Sequence, residues 1–199
     1  EHRNVSMSRR HFDRLAREYD SSFIAHVPTY AEMHNTILEM LGLGGRYPAH
    51  VLELGIGTGT LTEKLLERFP KTRVTGVDIS PAMLTQARAK LSFAGNRVEL
   101  RESDMSTAAL GSGYDAVVSA IAFHHVPPRK KAALFAELYG GLDPDGVIVV
   151  GDTFKAATTE MGELFRHLKE ERLMEEGLSK ADIVERSQRA KHSGGSATR

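Results

Sequence analysis

The stretch Val51-Leu-Glu-Leu-Gly-Ile-Gly-Thr-Gly-Thr60 constrains this chain more than any other. It opens as a short apolar run, the composition of a parallel strand buried on both faces. Gly55, Gly57 and Gly59 follow at alternate positions, and Leu61-Thr-Glu-Lys-Leu-Leu-Glu-Arg-Phe69 then continues as a helical pattern. Strand, glycine turn and helix make the first half of a βαβ unit. Bare backbone there lets the chain turn tightly and lets a ligand approach it closely.

The remainder extends that unit. Arg73–Asp78, Val98–Glu102, Tyr114–Ile121 and Val147–Asp152 read as four more strands. Between them lie a helix capped by Ser80-Pro81 and carrying Met83, Leu84, Ala87 and Leu91, and another carrying Leu134, Phe135 and Leu138. Leu142-Asp-Pro-Asp-Gly146 reads as a turn before the fifth strand. Strands alternating with helices imply a Rossmann-like, doubly wound α/β fold, its mainly parallel sheet covered on both faces. Residues 1–10 read as loose. A helix is expected from His11 to Tyr19, and a second from near Pro28 to Gly42. Beyond Asp152 the pattern is helical only, with amphipathic segments Met161–Met174 and Lys180–Lys191. The chain thus reads as one domain, 1–199: cap helices over 8–45, a core over 50–152, a helical lid or dimer segment over 154–191 and a flexible tail over 192–199.

Composition narrows the partners. Lys plus Arg and Asp plus Glu each number 26, so no global field favours nucleic acid. There are no cysteines, which removes disulfides and thiolate chemistry, and no apolar run approaches membrane-spanning length. A cytoplasmic setting without membrane association is the expectation. His34, Glu39 and His50 show no metal-ligand spacing. A chain that begins at Glu1 and stops in Ser193-Gly-Gly-Ser-Ala-Thr-Arg199 reads as a piece of a longer parent.

In open α/β sheets, ligands sit beyond the carboxyl ends of the strands. Loop 55–59, Asp78, Asp104 and residues 119–125 all fall there. Asp78 follows the glycine loop at the distance, roughly 20 residues, of an acid that takes ribose hydroxyls. Asp104 can accept an adenine amino group, with Ile79 and Met105 offering apolar faces. Both acids also suit ordinary turns. A dinucleotide loop places its third glycine one residue later and needs Gly or Ala where Thr60 stands. Glu53 would repel a pyrophosphate, whereas it suits a ligand with an amino group and a sulfonium.

Glu53-Leu-Gly-Ile-Gly-Thr-Gly59, Val77-Asp-Ile-Ser-Pro-Ala-Met83, Ser103-Asp-Met105, Tyr114-Asp-Ala-Val-Val-Ser-Ala120 and Leu142-Asp-Pro-Asp-Gly146 together resemble the ordered motifs of class I S-adenosylmethionine-dependent methyltransferases. The resemblance covers residues 10–152. It implies S-adenosyl-L-methionine as cofactor, a small-molecule acceptor, and closing strands six and seven, which the pattern here lacks. Val27-Pro-Thr-Tyr30, Ser80-Pro-Ala-Met83 and the tract from Gly162 to Ser179 resemble more narrowly the carboxy-S-adenosylmethionine synthases linked to tRNA wobble-uridine modification. That likeness implies cofactor contacts from Tyr30, Gly55, Ile56, Gly57, Asp78, Ile79, Asp104, Met105 and Ala120; Glu53 joins them on charge. The chain departs from those synthases in its full glycine loop, in Ser187 where they carry an arginine (with Arg186 and Arg189 nearby), and in Ala120 where they carry an asparagine. Methyl transfer is therefore the first expectation; carboxy-cofactor synthesis and a non-catalytic cofactor-binding subunit are the alternatives.

A sulfonium methyl is already electrophilic, so alignment dominates and a base depends on the acceptor. His124 and His125 are the candidates for that base, or else they hold backbone or line the pocket. No catalytic residue is assigned. Tyr19 and Tyr30 read equally as core tyrosines. Phe154, Met161, Leu164, Phe165 and Leu168 form an apolar stripe fitted to a lid or to a homodimer surface.

Overall fold

The structure is a computed structural model and describes residues 2–23, 29–45, 47–153, 156–175 and 177–184. The backbone forms two compact units, 1–153 and 154–199. In the first, β1 (His50–Leu54), β2 (Arg73–Asp78), β3 (Val98–Glu102), β4 (Tyr114–Ala120) and β5 (Leu142–Gly151) make one sheet of order β3-β2-β1-β4-β5. Every pairing is parallel. The order reverses at β1, and the crevice beside its carboxyl end is where a ligand belongs in such a sheet.

Alternation along each strand divides the core in two. Val51, Val74, Ala116, Val118 and Val149 join the helices α2 (Tyr30–Leu41), α3 (Thr60–Arg68) and α4 (Pro81–Lys90) through Ile37, Leu38, Leu65, Leu66, Leu84 and Ala87. Leu52, Leu54, Val77 and Val117 pack instead with Leu134 and Leu138 of α5 (Pro128–Gly141) and with Phe123 and Val126. The runs are apolar throughout because both faces of the sheet are covered.

Several boundaries differ from the sequence reading. The stretch expected to be loose is helical: α1 runs His2–Leu15, stopping short of the expected Tyr19, which instead opens a wide helical turn, Tyr19–Phe23. Polarity suggested looseness, yet α1 is fastened by Asp13, which accepts from Ser80 Oγ at 2.6 Å, and by Arg9, which pairs with Glu102 at 2.8 Å. Pro28 lies outside the described residues, and α2 begins at Tyr30 behind Thr29 in the left-handed region at φ 70°. β4 stops at Ala120 because Ile121 turns left-handed at φ 51°. The Asp-Pro-Asp-Gly turn lies inside β5: register jumps from Tyr114↔Leu142 to Ala116↔Val147, so residues 143–146 bulge out of the ladder. Among the described residues there is no sixth or seventh strand, and β5 is an edge.

The second unit, described by itself, holds α6 (Thr159–Glu175) and a further helical stretch over 180–184. Ser179 Oγ accepts from Asp182 N–H at 3.2 Å while Asp182 accepts from Ser179 N–H at 3.1 Å, a reciprocal N-terminal cap. Met161, Leu164, Phe165 and Leu168 are all exposed. Phe154 and residues 185–191, including Arg186, Ser187 and Arg189, lie outside the described residues. No described helix is long and apolar enough to cross a membrane.

The glycine loop supplies the first prediction. Gly55 sits at φ +71°, and a Cβ there would stand 2.3 Å from Ala122 Cβ. Gly57 is also left-handed, at φ +55°, but a Cβ there meets nothing within 4 Å. Gly57→Ala should therefore cost only the backbone term, ~1 kcal/mol, whereas Gly55→Ala adds an overpacking cost of about 1–3 kcal/mol. Denaturant unfolding of the two variants should show Gly55→Ala to be clearly the less stable; equal midpoints would contradict the packing described.

Candidate functional site

The glycine loop is stitched to the end of β2. Gly55 and Ile56 both donate their N–H to Val77 C=O, at 2.8 and 3.1 Å, and Gly57 N–H donates to Asp78 Oδ2 at 2.8 Å. Asp78 Oδ1 accepts from Ser80 N–H at 2.9 Å, which sets the start of α4. Ser103 N–H donates to Asp78 C=O at 2.9 Å, bringing the end of β3 alongside. Ser119 Oγ donates to Leu54 C=O at 2.9 Å and ties β4 to the root of the loop. Four strand ends are thus drawn to one rim.

Of the residues singled out in the sequence, Gly55, Gly57, Asp78, Ile79 and Met105 share this rim. Met105 Cε lies 3.4 Å from the position a Gly55 Cβ would take. Asp104 follows β3 and spends Oδ1 on the N–H of Ser106 at 2.8 Å, leaving Oδ2 for another donor. Ala120 closes β4 and packs against the core. The Ile56 side chain is not at the rim: it is buried, with Cδ1 2.3 Å from where a Gly76 Cβ would stand, so only its backbone is available to a ligand. Tyr30 packs on the His34 ring at 4.1 Å between centroids, on the α2 side.

The electrostatics are unusual. Glu53 is wholly buried and accepts from Thr62 Oγ1. Desolvation, partly offset by that hydrogen bond and reinforced by Asp78, pushes its carboxyl up to about 8. Burial also raises Asp78, against the lowering effect of the N–H groups of Ser80, Gly57 and Ile79. Tyr19 is raised to about 12 by burial, then by Asp78 and Asp20. The Tyr30 hydroxyl is raised by burial and by Tyr19 and Glu53. The rim therefore gathers buried acids that pair with no cation among the described residues. Glu53 and Asp78 could hold a ligand with a positive group and paired hydroxyls, and the open face above Gly57 admits it. These groups fit S-adenosylmethionine better than a pyrophosphate.

Three features escaped the sequence reading because each joins residues far apart in the chain. Asp20 accepts from Thr58 Oγ1 at 2.6 Å and pairs with Lys90 Nζ at 2.5 Å; Lys90 also donates to Thr60 Oγ1 at 2.7 Å. Burial would raise Asp20, but the Lys90 and Thr58 hydrogen bonds win and lower it. Together with Asp13 on Ser80, this fastens the N-terminal segment at both ends of α4. His34 is fully buried, with neither ring nitrogen hydrogen-bonded among the described residues, and desolvation lowers it to about 4. Asp152 pairs with His124, which could be sought only as an acid ending the strand next to β4. Among the described residues, no three His, Asp or Glu side chains cluster as a metal site.

Comparison with known proteins points to one family. Residues 51–146 match the family described as "Methyltransferase domain". The malonyl-acyl-carrier-protein O-methyltransferase of Acetivibrio thermocellus is 39% identical over 57% of this chain and 38% of its own length. The carboxy-S-adenosyl-L-methionine synthase of Chromohalobacter salexigens is 31% identical over 70% of this chain and 56% of its own. These matches span about half the length of those relatives or less. An uncharacterized methyltransferase of Geobacillus sp. strain WCH70 is 32% identical over 80% of this chain and 74% of its own length. Among solved structures, the DhpI–SAH complex superposes with TM-score 0.62 at 29% identity, over 74% of this chain and 68% of that one. By motif, fold and relatives, the chain belongs to the S-adenosylmethionine-dependent methyltransferase family.

Proposed function

We propose that this chain transfers the sulfonium methyl group of S-adenosylmethionine to a small-molecule acceptor by in-line displacement, in the cytoplasm. The observation that carries the reading is the rim itself: a left-handed glycine loop bonded to Asp78, with a buried Glu53, paired with no cation among the described residues, beneath it. Gly55, Ile56 and Gly57 would offer backbone to the cofactor. Asp78 would take the ribose hydroxyls, Asp104, Ile79 and Met105 the adenine, and Glu53 and Tyr30 the amino-acid end, with Ala120 beside them. When bound, the cofactor supplies an electrophilic methyl group. The chain's own part is to orient, to desolvate and to answer the positive charge.

A second reading, carboxy-cofactor synthesis, is favoured by the likeness to the Chromohalobacter synthase. Incubating the purified chain with methyl-tritiated S-adenosylmethionine and a bacterial metabolite extract separates the readings. Label moving into a small molecule supports methyl transfer. A carboxylated cofactor recovered by mass spectrometry would replace it with synthesis, and cofactor binding without any transfer would leave a non-catalytic subunit.

The Glu53 carboxyl gives two pH-dependent predictions. Its folded pKa, about 8, lies above the ordinary value of 4.5, so the folded chain keeps a proton that the unfolded chain has lost. This contribution is complete below 4.5 and is lost as pH rises through 8, at ~1.4 kcal/mol per unit. His34 and His125, both lowered from 6.5, act in the opposite sense only below that value, whereas Asp78, also raised by burial, acts in the same sense as Glu53, so the difference between wild type and Glu53→Gln at pH 7 to 8 reads Glu53. Wild-type stability should fall across that window, and Glu53→Gln should flatten the decline. Calorimetric titration with S-adenosylmethionine at pH 7, in buffers of different ionisation enthalpy, should show proton release from wild type and none from Glu53→Gln. Equal release from both would remove Glu53 from the site.

A further inference from the structure

Beyond the cofactor rim, the ends of β4 and β5 carry a second arrangement. Ala122 lies against Gly55, and His124 follows two residues on. Its Nδ1 lies 2.7 Å from Asp152 Oδ1, and its backbone N–H donates to Asp152 Oδ2 at 2.8 Å. One carboxylate thus grips both the ring and the main chain of one histidine. Asp152 is only 3% exposed at its side chain, whereas His124 is 36% exposed. The acid is hidden and the imidazole looks outward.

The protonation pattern follows from the carboxylate. Burial alone would raise Asp152, but hydrogen bonds from the His124 ring and from the N–H groups of Thr153 and His124 bring it below the usual carboxylate range. An ionised Asp152 has no proton to give, so His124 Nδ1 must carry it. Nε2 is left with its lone pair. His125 is exposed too, but among the described residues no carboxylate grips its ring. Its ring is held between Phe12, 5.2 Å away edge-on, and His124, 4.0 Å away, and desolvation followed by His124 lowers its pKa. Among the described residues, the charged and titratable groups around His124 are Asp152 from the end of β5, His125 beside it, and His11 of α1 beyond His125.

We propose that His124 is the general base of the transfer, that Asp152 is its positioning residue, and that the acceptor is therefore a group that must give up a proton, such as a neutral hydroxyl, rather than a carboxylate. This inference rests on the methyl-transfer reading. A carboxylate acceptor is already ionised and needs no base, so a buried acid locking a histidine would serve nothing there. A hydroxyl must lose a proton. In the step, the acceptor oxygen bonds to the methyl carbon as the carbon–sulfur bond breaks, and the sulfur keeps that electron pair. The hydroxyl proton passes to Nε2, and Asp152 stabilises the resulting imidazolium until solvent takes the proton.

Two measurements test it. Nitrogen-15 NMR of the histidine rings in S-adenosylhomocysteine-saturated protein, with His124→Gln for assignment, should find neutral His124 protonated at Nδ1, and Asp152→Asn should disturb that preference. A wild-type ring protonated at Nε2 overturns the proposal whether or not the protein turns over. On the acceptor recovered in the labelling experiment, His124→Gln should lower kcat by about 10²- to 10⁴-fold with KM nearly unchanged. Asp152→Asn should do the same to a smaller degree, and Asp152→Glu should restore part of the loss. Unaltered S-adenosylhomocysteine affinity in each variant shows that the cofactor site is intact. A raised KM with kcat preserved, or a product methylated on a carboxylate oxygen, overturns the assignment. A wild type that binds S-adenosylhomocysteine but methylates nothing defeats the methyl-transfer reading instead, and the NMR result still decides the tautomer.

Discussion

The bond from Gly57 N–H to Asp78 is the contact on which the functional end of this fold depends. It ties the loop after β1, the strand at which the sheet order reverses, to the last residue of its neighbour β2. The other oxygen of the same carboxylate receives Ser80 N–H, so one side chain fixes both the glycine turn and the start of α4. Neither segment could choose this conformation alone. Left-handed backbone is only permitted by glycine, and a capped helix start still needs a direction. Asp78 supplies the shared reference.

That arrangement carries an electrostatic cost which also explains its purpose. Glu53 and Asp78 are both desolvated, and the charge of Asp78 further disfavours that of Glu53. A chain selected for stability alone would replace Glu53 with an apolar residue of similar size, since the rest of its face of β1 is apolar. Keeping the acid makes sense when a cation completes the set. The same logic separates this rim from a dinucleotide loop, where a buried acid would oppose a pyrophosphate.

Much of this was legible in the sequence because it is local. The βα alternation, the five strands and the glycine loop each declare themselves within a few residues, and Ser80-Pro81 announces α4 by its capping chemistry alone. What stayed hidden is long-range. Asp13, Asp20 and Lys90 look like surface charges until the fold brings them to Ser80, Thr58 and Thr60. Residues 1–10 read as loose because their polarity says nothing of α1 being held by Asp13 and Arg9. Asp152 looked like the end of a strand, and only the adjacency of β4 and β5 makes it the partner of His124. Ile56 shows the same limit: its neighbours suggest a ligand contact, but only the fold shows that its side chain is spent on the core, leaving its backbone for such a contact.

The central claim is that this rim is built for a sulfonium nucleoside. Direct calorimetric titration of the purified chain, with S-adenosylmethionine and separately with nicotinamide adenine dinucleotide, tests it most simply. The account predicts saturable binding of the first and none of the second. Binding of the dinucleotide, with no heat from S-adenosylmethionine, would contradict it.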